Sequence, residues 1–317
     1  MRPVIIAHRG ASGHLPEHTL PAKALGYAMG ADYLEQDIVA TRDDRLIVLH
    51  DIHLDRVTDV ATRFPDRARG DGRFYVRDFD LAEIETLRAH ERTDADGKPV
   101  YPGRFPSAGE DFRVHSLERE LQLVADLCER GARPVGIYPE IKAPAWHQRE
   151  GVDITKLVLE SLAQFGYTEH ADACYLQCFD EREVRRIRHE LGCRLKLVQL
   201  IGEDDWEPEV ETNYGALRTK RGLKKLAKTV DGIGPWVNQL YRYNRRKRRL
   251  TDRRVVGRAH DAGLVVHPYT FRSDALPPGF TNFDDLLEFM IEELSIDGLF
   301  TDFPDAAQRY LAARHVS

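Results

Sequence analysis

The 317-residue sequence has only four cysteines and no CxxC pair, so neither a disulfide scaffold nor a zinc ribbon is expected. No apolar run approaches the roughly 18 residues that a membrane-spanning helix needs. Neither charge sign dominates, because 46 basic residues stand against 52 acidic ones, which argues against a protein that coats nucleic acid. A hydrophobic content of 42% excludes a disordered chain.

The N-terminus and the cysteines say little about localisation. The segment MRPVIIAHRG has four consecutive aliphatic residues before charged ones, too few for the core of a secretion signal. The sequence as it stands predicts a cytoplasmic protein, or a periplasmic one from which a signal was removed, and it does not separate the two. Cys174 and Cys178 lie in an apolar stretch, so we expect buried thiols there.

Short apolar runs alternate with longer amphipathic stretches along the chain. Runs of this kind are expected of strands that are buried on both faces of a parallel sheet. The strand candidates are residues 4–8, 32–39, 46–50, 135–141, 173–178, 195–200, 230–234, 264–269 and 297–301. The candidate helix N-caps between them are Thr19, Ser116, Asp153 and Asp180.

This alternation predicts an α/β fold with a parallel sheet, formed as one domain by residues 1–317. Nine strand candidates exceed the eight of a (β/α)8 barrel. The run 46–50 follows 32–39 too closely for a helical crossover, so we expect it to form a side hairpin. Periodicity alone leaves a barrel and a doubly wound sheet both open.

Two segments break the alternation. Residues 53–113 are rich in Arg, Asp, Gly and aromatic residues and show no clear strand, so we interpret them as an insertion over one end of the sheet. Residues 241–254, YRYNRRKRRLTDRR, are strongly basic. We expect a solvated loop or helix face there, with a patch for nucleic acid or an anionic membrane as the alternative.

Residues that can carry chemistry gather at the ends of predicted strands, where the active sites of α/β folds lie. His8, Arg9 and Gly10 close the first strand, where histidine suits proton transfer and arginine suits a phosphate contact. Glu35 and Asp37 are two residues apart and therefore share one face of a strand. Two such carboxylates in an interior need a bound cation or a shared proton, unless they form a polar rim paired with Arg or Lys.

Two later strand ends add to this set. His50 and Asp51 end the third apolar run, and Glu140 and Lys142 end the strand candidate 135–141. A third carboxylate beside the first two completes a set of hard oxygen ligands for Ca²⁺ or Mg²⁺. Each group taken alone is also compatible with a structural role. Together they suit phosphoryl-ester chemistry, with a cation and Arg holding the phosphate while two imidazoles move protons.

The order of these motifs resembles a known family. AHRGASGHLPEHT, LEQDIVATRDD, IVLHD and YPEIK are similar to motifs of the glycerophosphodiester phosphodiesterase family, above all of its larger bacterial periplasmic branch. The resemblance extends from about residue 4 to about residue 312. It implies a TIM barrel with an inserted cap after the early strands, and hydrolysis of glycerophosphodiesters such as glycerophosphocholine or glycerophosphoethanolamine to sn-glycerol 3-phosphate and an alcohol.

The resemblance also implies roles for seven residues. The acid/base pair would be His8 and His50, the metal ligands Glu35, Asp37 and Glu140, and the phosphate contacts Arg9 and Lys142. The metal in this branch is usually Ca²⁺, with Mg²⁺ as the alternative. The family's proposed route lets the glycerol 2-hydroxyl attack phosphorus, after which water opens the cyclic phosphate. Which histidine acts as the base stays open.

Five residues near later strand ends are candidates to line the substrate pocket, with packing at the barrel rim as the alternative: Gln177, Phe179, His267, Tyr269 and Phe271. Other functions stay open as well, namely a phospholipase D-like lyase that acts on lysolipids and a surface binding protein built on the barrel. The expected partner is a small-molecule glycerophosphodiester, with no nucleic acid and no membrane span. The sequence does not give the oligomeric state.

Overall fold

The structure of the chain, a computed structural model, describes residues 2–105, 112–131, 133–168, 173–206 and 211–314. Residues 106–111 of the predicted insertion lie outside these ranges. The strands in chain order are β1 (Val4–Ala7), β2 (Tyr33–Ala40), β3 (Leu46–Val48), β4 (Gly136–Ile141), β5 (Tyr175–Cys178), β6 (Lys196–Ile201), β7 (Gly232–Pro235), β8 (Tyr241–Asn244), β9 (Arg249–Asp252), β10 (Val265–Val266) and β11 (Gly298–Thr301).

Helices lie between most of these strands. In chain order they are α1 (Leu20–Ala28), α2 (Val60–Arg63), α3 (Leu81–Ile84), α4 (Leu117–Arg130), α5 (Pro144–Arg149), α6 (Ile154–Gln164), α7 (Glu181–His189), α8 (Tyr214–Leu217), α9 (Lys220–Leu226), α10 (Val255–His260), α11 (Phe283–Glu288) and α12 (Pro304–Arg314). Short 3-10 helices cover Pro65–Arg67, Val76–Asp78 and Val237–Gln239, and a π-helical turn, Phe289–Glu293, follows α11. None of the helices in the described part of the chain has the length and apolar content that a membrane crossing requires.

Eight parallel strands form a barrel in the order β10-β7-β6-β5-β4-β2-β1-β11. Backbone hydrogen bonds join the two ends of this order. The amide of Phe300 donates to the carbonyl of Pro268 at 3.0 Å, and the amide of Phe271 donates to the carbonyl of Phe300 at 2.8 Å. The predicted TIM barrel is therefore confirmed, and the doubly wound alternative is excluded.

The side hairpin is confirmed too. Strand β3 pairs antiparallel with the end of β2, with Ile38 opposite Val48 and Ala40 opposite Leu46. The connection between these strands is too short for a helical crossover, so the chain reverses before it can add a parallel strand. The hairpin leads directly to His50 at the carboxyl end of the barrel.

The predicted helix starts follow from local capping. The hydroxyl of Thr19 accepts the amide of Ala22, and the carboxylate of Asp180 accepts the amide of Arg182 at 2.8 Å. Ser116 and Asp153 cap α4 and α6 in the same way. These side chains take up amides that have no partner inside the helix.

Two clusters of buried apolar residues position the mouth of the barrel. Inside the barrel, Ile6, Tyr138 and Phe300 pack together. Each of the three precedes a polar residue by two positions on the same strand face, so this apolar layer forms the floor beneath the mouth. Outside, a larger cluster fills the space between strands and helices.

The insertion has its own apolar cluster. Leu54, Val57 and Phe79 pack with Val39 of β2 and Ile47 of β3, which fixes the segment against the hairpin. The predicted lack of strands in this segment agrees with the structure, where the described part contains short helices and isolated bridges. Whether the whole chain behaves as one domain stays a prediction.

The prediction of a loop or helix face for residues 241–254 is wrong. Strands β8 and β9 pair antiparallel, with Tyr241 opposite Asp252 and Asn244 opposite Arg249. The basic side chains are exposed, as expected of a solvated segment. Sequence patterning failed here because each strand of this ribbon has only four residues and little apolar content, so no apolar run marks it.

Candidate active site

A pocket opens at the carboxyl ends of the barrel strands, with a cavity of about 290 Å³. All seven residues to which the family resemblance gives roles line this pocket. The rest of its wall is partly aromatic and includes Phe179, Trp206, Trp236 and Tyr269. Parallel strands bring these residues together from distant parts of the chain, because all their carboxyl ends meet at one mouth.

Three carboxylates converge at the bottom of the pocket. In the parallel pairing of β2 and β4, Asp37 lies beside Glu140, and Glu35 lies two residues before Asp37 on the same face. One ligand oxygen from each of the three residues lies within 4.8 Å of the others, and all three side chains are buried. The backbone amide of Arg9 donates to Oε2 of Glu35 at 2.7 Å and helps to hold it.

The electrostatics of this triad favour a bound cation. Burial and the charge of Asp37 raise the pKa of Glu35 to about 8, and burial also raises the pKa of Glu140 well above its usual range. Burial opposes ionisation of Asp37 too, but the charges of Lys142 and His50 outweigh it and lower the pKa of Asp37 well below its usual range. If all three carboxyl groups are ionised, their negative charges repel one another in this buried site. A divalent cation such as Ca²⁺ or Mg²⁺ would offset that repulsion and take the carboxylate oxygens as ligands.

His8 follows β1 and is oriented by a carboxylate that sequence reasoning missed. Its Nδ1 lies 2.6 Å from Oδ1 of Asp302, which follows β11, and its Nε2 lies 3.9 Å from Oε2 of Glu35. Burial lowers the pKa of His8 to about 4, so the ring is neutral at pH 7. The proton of this neutral ring is then on Nδ1, which donates it in a hydrogen bond to Asp302. The unprotonated Nε2 faces the carboxylate triad.

The turn after His8 depends on glycine. Gly10 has a φ of +84°, and a Cβ at this position would lie 2.7 Å from the backbone carbon of Ala22 in α1. The chain can therefore reverse tightly between β1 and α1 only with glycine here.

His50 has the same arrangement. Its Nδ1 lies 2.6 Å from Oδ1 of Asp51, and Oδ2 of Asp51 accepts Nη1 of Arg92 at 2.6 Å. Burial, with further contributions from the charges of Arg9 and Lys142, lowers the pKa of His50 to about 4. The pocket therefore contains two neutral imidazoles, each with Nδ1 bound to an aspartate.

Arg9 and Lys142 form the cationic part of the pocket. Nη1 of Arg9 donates to both carboxylate oxygens of Glu17, at 3.0 and 2.9 Å, and Nε lies 3.4 Å from Oδ2 of Asp37. Nζ of Lys142 lies 2.8 Å from Oε1 of Glu140. These two positive charges stand beside the carboxylate triad.

The five proposed pocket residues divide into two groups. Gln177, Phe179 and Tyr269 line the pocket. His267 does not, because it lies in the apolar floor with its Nδ1 3.0 Å from the hydroxyl of Tyr138. Phe271 is fully buried in the core outside the barrel. The alternation of side chains along a strand predicts which face of the sheet a residue occupies. It does not predict how deep His267 lies in the barrel, and it does not predict that Phe271 faces outward.

Comparisons with known proteins find relatives that match nearly the whole chain. The model of the glycerophosphoryl diester phosphodiesterase family matches residues 8–306. A glycerophosphodiester phosphodiesterase from Haemophilus influenzae is 42% identical over 97% of this chain and 89% of its own length. One from Treponema pallidum is 38% identical over 97% of this chain and 91% of its own. The chain belongs to the glycerophosphoryl diester phosphodiesterase family. It is accordingly an enzyme that hydrolyses glycerophosphodiesters, and the predicted family and enzyme class are confirmed.

Solved structures show the same fold at lower identity. A structure from Silicibacter pomeroyi superposes with a TM-score of 0.71 at 22% identity, covering 99% of this chain and 95% of the other. A phosphodiesterase from Oleispira antarctica, solved in complex with the product sn-glycerol-3-phosphate, superposes with a TM-score of 0.64 at 17% identity, covering 98% of this chain and 97% of the other. At these identities the likeness supports the family's barrel fold.

Several residues around the family's motifs escaped the sequence reasoning. Asp302 follows the apolar run of β11, so the rule that found the other strand-end residues could have found it. Nε2 of His18 donates to Oδ2 of Asp37 at 2.6 Å, and Nε of Arg272 donates to Oδ2 of Asp302 at 2.7 Å. Trp206 lies in a loop, and nothing in its sequence context marks it as a pocket residue.

Proposed function

We propose that this enzyme hydrolyses glycerophosphodiesters such as glycerophosphocholine and glycerophosphoethanolamine to sn-glycerol 3-phosphate and the free alcohol. His8 and His50 act as the acid/base pair, and Glu35, Asp37 and Glu140 hold a divalent cation. The observation that carries the proposal is the convergence of the carboxylate triad with two imidazoles whose Nδ1 atoms are each bound to an aspartate. The Oleispira antarctica relative with sn-glycerol-3-phosphate supports the choice of product.

We propose Ca²⁺ as the cation at the carboxylate triad, with Mg²⁺ as the alternative. Three buried carboxylates supply hard oxygen ligands, and Ca²⁺ tolerates more ligands and looser geometry than Mg²⁺. When bound, the cation supplies positive charge that offsets the negative charge of the phosphodiester. Arg9 and Lys142 contribute positive charge on the same side of the pocket, so they orient the phosphate through its non-bridging oxygens.

The two histidines move the protons. One imidazole accepts the proton of the glycerol 2-hydroxyl as that oxygen attacks phosphorus, and the other donates a proton to the alcohol that leaves. Water then opens the cyclic phosphate, and the two imidazoles exchange their roles. Binding of the anionic substrate between them raises the pKa of both imidazoles, which brings them toward neutral pH. Asp302 and Asp51 keep Nδ1 protonated and each ring in place.

Substitution of each histidine tests the proposal. His8→Ala and His50→Ala should each lower kcat on glycerophosphocholine by roughly 10²- to 10⁴-fold, since each removes one proton-transfer group. His189→Ala, an exposed histidine on α7, is the matched control and should leave kcat unchanged. Phosphorus NMR identifies the product. Wild-type turnover in either pocket variant would refute the acid/base pair, and a cyclic phosphate as the end product would indicate a lyase.

A further inference from the structure

Two arginines of the inserted segment reach into the mouth of the barrel. The Arg92 side chain is 18% exposed, and its guanidinium donates to Oδ2 of Asp51 at 2.6 Å and to both oxygens of Glu17. The Arg104 side chain is 5% exposed, and its Nη2 donates to Oδ2 of Asp302 at 2.7 Å. Arg104 also forms a paired contact with Asp274, at 2.8 and 3.1 Å.

The two contacts have the same form. Asp51 and Asp302 each use one carboxylate oxygen for an arginine of the insertion and the other oxygen for Nδ1 of a histidine, at 2.6 Å in both cases. Two Arg–Asp–His chains therefore end at histidines of the pocket: Arg92–Asp51–His50 and Arg104–Asp302–His8. The insertion supplies the outer member of both.

We propose that Arg92 and Arg104 are positioning residues that hold the two aspartate–histidine pairs in their catalytic orientation. This inference rests on the proposed acid/base roles of His8 and His50. An aspartate with one oxygen on an imidazole can still rotate about its side-chain bonds, and a charge-assisted hydrogen bond to the second oxygen prevents that rotation. Small displacements of a proton-transfer group lower turnover strongly, so fixing both rings favours catalysis.

The inference assigns the inserted segment a part in the chemical step. It also predicts an asymmetry between the two chains. Asp302 accepts a second guanidinium, from Arg272 at 2.7 Å, whereas the structure gives Asp51 no guanidinium other than that of Arg92 within its described part. Loss of Arg92 should therefore affect kcat more than loss of Arg104.

The experiment measures kcat and KM on glycerophosphocholine for Arg92→Gln and Arg104→Gln in the full enzyme. Removal of groups that orient a catalytic side chain typically costs about 10- to 100-fold in activity. We expect a loss of this size in kcat for Arg92→Gln and a smaller one for Arg104→Gln, with little change in calcium binding by calorimetry. Arg63→Gln, an exposed arginine of the same insertion, is the matched control and should leave kcat unchanged.

Double variants test whether each arginine acts through its aspartate. If it does, Arg92→Gln should lower kcat no further in an Asp51→Asn background, and the same holds for Arg104→Gln with Asp302→Asn. The inference would be overturned if the kcat losses of the single variants multiply in the double variant. It would also be overturned if the arginine variants change only KM. Arg92→Lys and Arg104→Lys retain the charge and serve where a glutamine variant unfolds. Partial recovery of kcat relative to Gln supports positioning, and lysine variants with wild-type kcat overturn it.

His8→Ala and His50→Ala, assayed beside these variants, separate two kinds of failure. If the histidine variants turn over like the wild type, the proposed acid/base pair is wrong and the positioning inference falls with it. If the histidine variants are inactive while both arginine variants keep wild-type kcat, the acid/base pair stands and only the positioning role is refuted.

Discussion

Cation binding by the carboxylate triad should release protons. In the cation-free pocket, burial and the charge of Asp37 raise the pKa of Glu35 to about 8, and burial holds the pKa of Glu140 well above its usual range. Glu35 is therefore largely protonated at pH 7. Because a carboxylate must lose its proton to act as a cation ligand, binding displaces the proton of Glu35.

The pKa of Glu35 sets the size and the sign of the effect. Below that pKa, each displaced proton changes the apparent dissociation constant about tenfold per pH unit, and the affinity rises as pH rises. Displacement of the Glu35 proton predicts about tenfold tighter binding per pH unit between pH 6 and pH 7. As the pH passes 8, the contribution of Glu35 levels off because this carboxyl is already ionised.

Isothermal titration calorimetry measures both the affinity for Ca²⁺ and the number of protons released. Ca²⁺ is titrated into metal-stripped enzyme at several pH values, in pairs of buffers with different enthalpies of ionisation, so that the difference in heat counts the protons released. We expect about one proton from Glu35 per cation near pH 7 and fewer near pH 9. Glu35→Gln should bind more weakly and release about one proton fewer. An affinity independent of pH, with no proton release, would refute the reasoning.

Three further predictions concern binding and stability. Glu140→Gln should weaken calcium binding by at least about tenfold in calorimetry, with little loss of stability. The control variant Glu85→Gln, at an exposed position, should bind calcium as the wild type does. Equal calcium binding by both variants would refute the triad. Lys23 is fully buried with Nζ 2.8 Å from Glu120, so Lys23→Met should lower the free energy of unfolding by roughly 3–5 kcal/mol in urea titrations, and an unchanged value would contradict the importance of this pair. Burial lowers the pKa of His147 to about 4, so its contribution to stability is present above pH 6.5 and is lost as pH falls toward 4. His147→Gln should therefore flatten the acid limb of the pH–stability curve, and an unchanged slope would exclude the histidine as its source.

The sequence predicted most of the pocket because one rule served many positions, whereas the barrel was predicted from the resemblance to the family. Polar residues that follow apolar strands meet at the carboxyl mouth of a parallel barrel, and this places His8, Glu35 and Glu140 together without further information. The two-residue spacing of Glu35 and Asp37 also predicted that both face the interior, as the structure shows.

The same rule could have placed Asp302 at the mouth, but it does not tell which of these residues are partners. Asp302 approaches His8 only because β11 closes the barrel beside β1, and strand order is not readable from periodicity. Arg92 and Arg104 lie in a segment without strand or helix periodicity, so their position over the mouth depends on tertiary packing of the insertion. His267 was misplaced because a strand face predicts the side of a residue and not its layer in the barrel.

The most direct test of the central claim is release of sn-glycerol 3-phosphate from glycerophosphocholine by the metal-stripped enzyme. The reaction is run with EDTA, with Ca²⁺ and with Mg²⁺. The proposed triad and histidine pair predict no release with EDTA and restored release with Ca²⁺, with Mg²⁺ restoring less. Full activity in EDTA would contradict a role for the carboxylate-bound cation, and no release with either cation would contradict the proposed reaction.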